Sequence, residues 1–333
     1  MILLSDFYKS VFGCKAYKIS IDAGCTCPNR NGEKSTGGCF FCSEKGSGDF
    51  VPSKLKSIFQ QTEEGKALVE KKARGRSGTN QVKYIAYFQN FTNTYGNEEE
   101  LTAKYKEALT CPEVEGLAIA TRPDCISDSI LEKIAELAEK HFVQIELGLQ
   151  TFKDETKNKL NICYKNKDYI DAVKRIKSAS TKIHLVTHLI FGLPEETEED
   201  MLKSVKFVTE VNGIFSGTEN HLQTFPFGIK ITSLYVLKNT KLQELYESKK
   251  YQPLTQEEYL RILRKAIDLL PEKCVVHRLT GDPPKSLLIA PQWPTDKKRL
   301  MNEIRKLRLA PAYSLKPGNH KEPDGPGNSQ KFS

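Results

Sequence analysis

Four cysteines crowd into one short stretch of the chain, Cys25-Thr26-Cys27 followed after eleven residues by Cys39-Phe40-Phe41-Cys42. Thiolates grouped in this way do one of two kinds of chemistry. All four can close a tetrahedral zinc site, structural and redox-inert. Alternatively three of them can hold a [4Fe–4S] cluster whose remaining iron stays open to a small molecule. Spacing alone does not choose between the two. Residues 28–38 add Asn29, Asn31, Gly32, Gly37 and Gly38, which let backbone amides approach the sulfides of a cluster. Cys25 and Cys27 sit too close together for the usual zinc knuckle.

The other five cysteines, Cys14, Cys111, Cys125, Cys163 and Cys274, are scattered singly and read as ordinary thiols. The total of nine is odd, which argues against a disulfide framework. No run of about eighteen apolar residues occurs, so no transmembrane helix is expected. The apolar opening Met1-Ile2-Leu3-Leu4 stops at Ser5-Asp6, short of a signal-peptide core, and a cytoplasmic location is the expectation. Net charge is +8, unevenly spread. Residues 296–308 carry six basic against two acidic side chains, and residues 153–177 eight against four. Such clusters are the footprint of a polyanion partner such as RNA, or plain solvated helix faces.

Positioning a cysteine loop requires elements on either side of it. Short runs rich in Ile, Val, Leu and Tyr predict strands at residues 16–21, 82–88, 116–121, 142–149, 183–191 and 229–237. Helical patterns lie between them: one capped by Ser127 or Asp128 with Ile130, Ile134 and Leu137 on one stripe, others at 98–109, 168–178, 198–211 and 256–270. Strand–helix alternation implies a parallel sheet with right-handed crossovers. No Gly-x-Gly-x-x-Gly turn follows any strand, so a partial (β/α)6-type TIM barrel is expected over a doubly wound sheet. The cysteine loop then leaves the carboxyl end of the first strand, where β/α barrels keep their chemistry. Residues 1–295 are expected to form the core, 296–316 a basic helical extension, and 317–333 a disordered tail.

Here the residues carry a resemblance. Asp22-Ala-Gly-Cys-Thr-Cys27-Pro-Asn-Arg-Asn-Gly with Gly37-Gly-Cys39-Phe-Phe-Cys42 resembles the cluster loop of the YhcC/YtqA-type radical S-adenosylmethionine (SAM) family, which has a long first spacing. Matching segments run in order from residue 6 to residue 295. They include Gln89-Asn90-Phe91-Thr92-Asn93-Thr94-Tyr95, Ala120-Thr121-Arg122-Pro123-Asp124-Cys125, Glu146-Leu147-Gly148-Leu149-Gln150-Thr151, Phe191-Gly192-Leu193-Pro194-Glu195 and Val276-His277-Arg278. Cys25 stands where the family has an aromatic, and Asn161-Ile162-Cys163-Tyr164 replaces a more basic stretch.

The resemblance implies a [4Fe–4S] cluster on Cys27, Cys39 and Cys42, with SAM on the open iron and reductive cleavage to a 5′-deoxyadenosyl radical. It implies SAM contacts from strand ends: Gln89, Asn93 and Thr94 for the methionine moiety, Glu146 or alternatively Gln150 for the ribose hydroxyls, and the stretch ending in Glu195 for the adenine pocket. A carboxylate such as Glu146 suits two hydroxyls because it accepts from both, and within an apolar run an unpaired carboxylate is costly. His184 and His188 share a strand face and are expected to line the barrel rather than bind metal. His277-Arg278 could contact an anionic substrate or simply pack, and Trp293 is expected in the core.

The family is similar to the radical half of the elongator-type tRNA-modifying enzymes. That likeness implies action on the tRNA anticodon loop: removal of the carboxymethyl group from 5-carboxymethylaminomethyl(-2-thio)uridine at the wobble position, leaving aminomethyluridine. It also implies a flavodoxin- or ferredoxin-like electron donor. Two alternatives stand beside it, a radical SAM enzyme acting on a peptide or small metabolite, and a non-enzymatic zinc-stapled RNA-binding protein.

Overall fold

The computed structural model describes residues 1–46, 55–73, 82–215 and 225–306. Its strands are β1 (Ile2–Leu3), β2 (Lys15–Ile21), β3 (Val82–Phe88), β4 (Val114–Thr121), β5 (Phe142–Gln150), β6 (Ile183–Phe191), β7 (Gly228–Ser233), β8 (Val236–Leu237), β9 (Val275–Arg278) and β10 (Leu288–Ala290). Eight of them form one parallel sheet in the order β1-β9-β7-β6-β5-β4-β3-β2, curled into a half-barrel. From β2 to β7 the chain steps across the sheet in sequence order, the winding of a barrel and not of a doubly wound sheet.

The six expected strands are all present. The expected run 229–237 is divided, because the Leu234 amide bonds to the Phe191 carbonyl and β8 leaves to pair antiparallel with β10. β1 and β9 extend the sheet beyond the six; they are too short to show periodicity in the sequence. The expected helices form at Glu98–Thr110, Asp128–Ala138, Asn166–Ala179, Glu198–Ile214 and Gln256–Asp268. Their starts are chemically marked. Ser127 accepts from the Ile130 amide, and Thr197 with Asp200 and Thr255 with Glu258 form reciprocal capping boxes.

Strand alternation separates two cores. Outward residues such as Ile19, Phe88, Leu117, Ile145 and Leu185 pack against the helices. Inward ones, Ile85, Tyr87, Ala118 and Phe142, meet Phe7 and Tyr8 of the helix Leu4–Phe12. That helix plugs the amino end of the barrel, with the Phe7 ring 4.5 Å from His184. Among the described residues no helix is long and apolar enough to cross a membrane. A helix, Lys297–Lys306, forms in the basic extension. Residues 307–316 and the tail 317–333 lie outside the described residues.

Candidate active site

The carboxyl ends of the strands surround a cavity of ≈ 790 Å³. Ser20, Gln89, Thr121, Gln150, Ile190 and Thr232 come to it from successive strands, and the loop after β2 brings Cys27, Cys39 and Cys42. Cys25 does not line it. That thiol packs against the helix–sheet core, and burial pushes its pKa up to about 11. Three of the four clustered cysteines therefore face the cavity and the fourth faces away.

Each of the three has a specific neighbour. Arg122, just past β4, donates from Nη1 to Sγ of Cys27 at 3.4 Å while Asp124 grips its other nitrogens at 2.9 and 2.8 Å. The Asn29 amide reaches Sγ of Cys39 at 3.6 Å. A hydrogen bond from Cys39, with Arg30 and Arg122 nearby, lowers the pKa of Cys42 despite its burial. The same bond, with burial, pushes the Cys39 thiol well above its usual range, so one proton is held between the pair. Among the described residues no three His, Cys, Asp or Glu side chains converge on a point where one metal ion would sit. The donor set fits a multi-iron cluster, in which each thiolate holds a different iron, better than a mononuclear tetrahedral site.

The loop is held by a residue that the sequence did not single out for this role. Asn161, at φ 58°, accepts on its carbonyl from Asn29 (2.6 Å) and on Oδ1 from Ser35 (2.8 Å), and donates to Thr36 O (3.2 Å) and Gly38 O (2.8 Å). Asn tolerates the left-handed backbone that this turn needs. Gly38 is needed for a second reason: at φ 79° a Cβ there would lie 2.9 Å from the Arg30 guanidinium.

Glu146 lies on the floor, completely buried. Its Oε1 accepts from Lys18 and Gln144; its Oε2 accepts from Tyr87 (2.7 Å), His188 (2.8 Å) and Lys230. Lys18 and Lys230 hold the carboxyl well below the usual range against the opposing effect of burial. Five donors already exceed the roughly four lone-pair sites of a carboxylate. The sequence argument that a buried Glu146 had no structural partner thus meets a lysine on each side. Of those partners, the sequence reading gave Lys18, Tyr87, Gln144 and Lys230 no individual role, although Tyr87 and Lys230 lie in segments that match the family.

The remaining expectations divide. Gln89 and Gln150 line the cavity, the former accepting from Ser20 at 3.0 Å. Asn93 does not; its amide is spent on the carbonyls of Phe88, Asn90 and Ala120. Thr94 is engaged with Thr121 and the Cys125 carbonyl at 2.6 Å. Both brace the loop beneath Gln89. Glu195 is exposed and ion-paired with Lys159, away from the cavity lining. His184 pairs with His277, Nε2 to Nε2 at 2.7 Å, and His188 lines the cavity and bonds to Glu146. Trp293 packs on Tyr259 and donates to the Leu254 carbonyl at 2.9 Å.

The family model "Radical SAM superfamily" matches residues 30–208, over half of the chain, and "Radical_SAM C-terminal domain" matches residues 226–308. The chain belongs to the radical SAM superfamily. Within it, the YtqA protein of Bacillus subtilis (strain 168) is 35% identical over 89% of this chain and 85% of its own length. A tRNA-2-methylthio-N(6)-dimethylallyladenosine synthase of Clostridium botulinum is 32% identical over 36% of this chain and 27% of its own. Among solved structures, the archaeal Methanocaldococcus infernus Elp3 superimposes with a TM-score of 0.61 at 17% identity, over 88% of this chain and 64% of that one. A [4Fe–4S] cluster and SAM are the cofactors of this radical SAM protein.

Proposed function

We propose that this radical SAM enzyme acts on the wobble uridine of tRNA and removes the carboxymethyl group of 5-carboxymethylaminomethyl(-2-thio)uridine. The cluster would sit on Cys27, Cys39 and Cys42, where, once reduced by an external donor of flavodoxin or ferredoxin type, it supplies the electron that turns SAM into a hydrogen-abstracting species. Gln89 and Gln150 would orient SAM at the strand ends; Glu146 would serve the ribose only by giving up one of its present donors. Arg122 would donate to the Cys27 sulfur, and Asn161 would hold the loop through residues 29–38.

One observation carries the RNA reading. Lys297, paired with Asp282, lines the cavity and is the first residue of the helix Lys297–Lys306, whose Lys298, Arg299 and Arg305 are exposed and in no ion pair among the described residues. The basic extension thus begins at the cavity mouth, where a splayed-out base would enter between phosphate-binding cations. The second expected basic stretch is a different matter. Lys153, Lys157, Lys159 and Arg175 are paired with Asp200, Asp154, Glu195 and Asp128, which leaves Lys165, Lys167 and Lys174 as its exposed cations. The tRNA-related name of the Clostridium relative supports the same reading.

The test is direct. Cluster-loaded protein, reductant and SAM are incubated anaerobically with tRNA bearing the carboxymethylaminomethyl group, and digested nucleosides are read by mass. Appearance of aminomethyluridine is expected. Replacing Lys297, Lys298 and Arg299 together should flatten the salt dependence of tRNA binding by up to about three counterions' worth of slope. A tRNA that neither binds nor changes mass overturns the RNA assignment.

A further inference from the structure

Three cations face one carboxylate on the cavity floor. Lys18 and Lys230 both pair with Glu146, and Arg278 lies opposite Lys230 in register on β9. Arg278 is exposed and lines the cavity, and among the described residues it has no ion-pair partner. Among the described residues the other acid of the lining, Asp282, is taken by Lys297 at 2.7 Å. His188, pushed down to about 4 by burial and then by Lys230, adds no charge at neutral pH. Burial, then the neighbouring Lys18 and Arg278 charges, also push the Lys230 ammonium well below its usual range. A second negative charge would relieve that repulsion.

We propose that this floor receives a second carboxylate, that of the glycine-like arm on the substrate base, and that Arg278 and Lys230 recognise it. The identity of the arm rests on the wobble-uridine reading; the need for an anion does not. Arg278 offers the planar fork that a carboxylate meets with two hydrogen bonds, and Lys230 a point charge beside it. The carboxymethyl end of the arm is what the proposed reaction removes, and the carboxylate leaves with that fragment while the nitrogen stays on the base. The substrate RNA carries the carboxylate, whereas the aminomethyl RNA carries only an ammonium. The floor therefore attracts the substrate base and not the product base.

The experiment uses cluster-loaded protein with SAM bound and two probe pairs. One pair is N-benzylglycine and N-benzylglycinamide; the other is anticodon stem-loops carrying the carboxymethylaminomethyl group or its carboxamide. The acid of each pair should bind about ten- to a hundred-fold more tightly than the amide. Arg278→Gln should erase that ratio, and Arg278→Lys should keep part of it. Equal binding of acid and amide in both pairs, or none, overturns the proposal. So does an Arg278→Gln protein that loses SAM affinity but keeps the ratio, because the cation would then serve the carboxylate of SAM. A ratio seen with N-benzylglycine when neither stem-loop binds keeps the carboxylate site and removes the RNA reading.

Discussion

Arg122 and Cys27 are joined by a hydrogen bond, Nη1 to Sγ at 3.4 Å, that ties the end of β4 to the cysteine loop. The same nitrogen donates to Oδ1 of Asn29 at 2.5 Å, so one guanidinium spans a thiol and the residue that contacts Cys39. Donors to cluster sulfur raise reduction potential. Arg122→Gln should lower the potential of the reconstituted cluster by on the order of 100 mV, the equivalent of one charge-assisted hydrogen bond. A redox titration followed by electron paramagnetic resonance reads this directly, and an unshifted potential would separate Arg122 from the cluster.

Replacing Cys27, Cys39 or Cys42 with Ala should each abolish iron incorporation and SAM cleavage. Cys25→Ala should retain both, since Cys25 faces the helix–sheet core and not the cavity. Iron content and visible absorbance after anaerobic reconstitution decide the matter. A Cys25→Ala protein as iron-free as the others would reject the three-thiolate set.

Glu146 compensates the buried Lys230 and the half-buried Lys18. Removing one partner of a buried ion pair strands the other, at a cost of about 3–5 kcal/mol. Glu146→Gln should lower unfolding stability by that amount, and adding Lys230→Met should recover part of the loss. Urea melts of the two variants measure the coupling. Wild-type stability in Glu146→Gln, with weakened SAM binding, would show that the carboxylate serves the ribose and not the barrel.

Glu196 is the neighbour of the Glu195 named from sequence, and it is the one turned inward. Burial pushes its carboxyl up to about 7 from an ordinary value of 4.5, with weaker lowering by Thr151 and Thr156. The folded state therefore binds the proton more tightly than the unfolded state. Stability from this group is full below about pH 4.5 and is lost as pH rises through about 7. Glu196→Gln should leave melting unchanged at pH 4.5 and stabilise the protein at pH 8 by roughly 2 kcal/mol. Equal melting curves at pH 8 would remove the penalty.

The sequence showed the six central strands because each is a long β-branched run, and showed the cysteine loop because thiols at fixed spacing are rare. Floor residues were hidden for the opposite reason. Lys18 and Gln144 are single polar positions in strands, Tyr87 and Lys230 fall in segments that match the family, and the role of all four comes only from convergence across the sheet on Glu146. Asn161 was legible as a departure from the family pattern but not as the clamp on residues 29–38. Asn93 and Thr94 were found by motif, yet their side chains are turned to backbone carbonyls and Thr121.

β1 pairs with β9, Ile2 opposite Val275, so the first strand of the chain lies beside the last strand of the sheet. During synthesis β1 has no sheet partner until nearly all of the chain has been made. The helix Leu4–Phe12, which plugs the amino end with Phe7 and Tyr8, is bound to the same delay. A nascent chain lacking β9 would hold β7 as a bare edge and leave the aromatic floor open to water. Cluster loading before that final closure would meet a half-barrel without its plug. Late docking of so distant a pair is also the slow kind of contact to form.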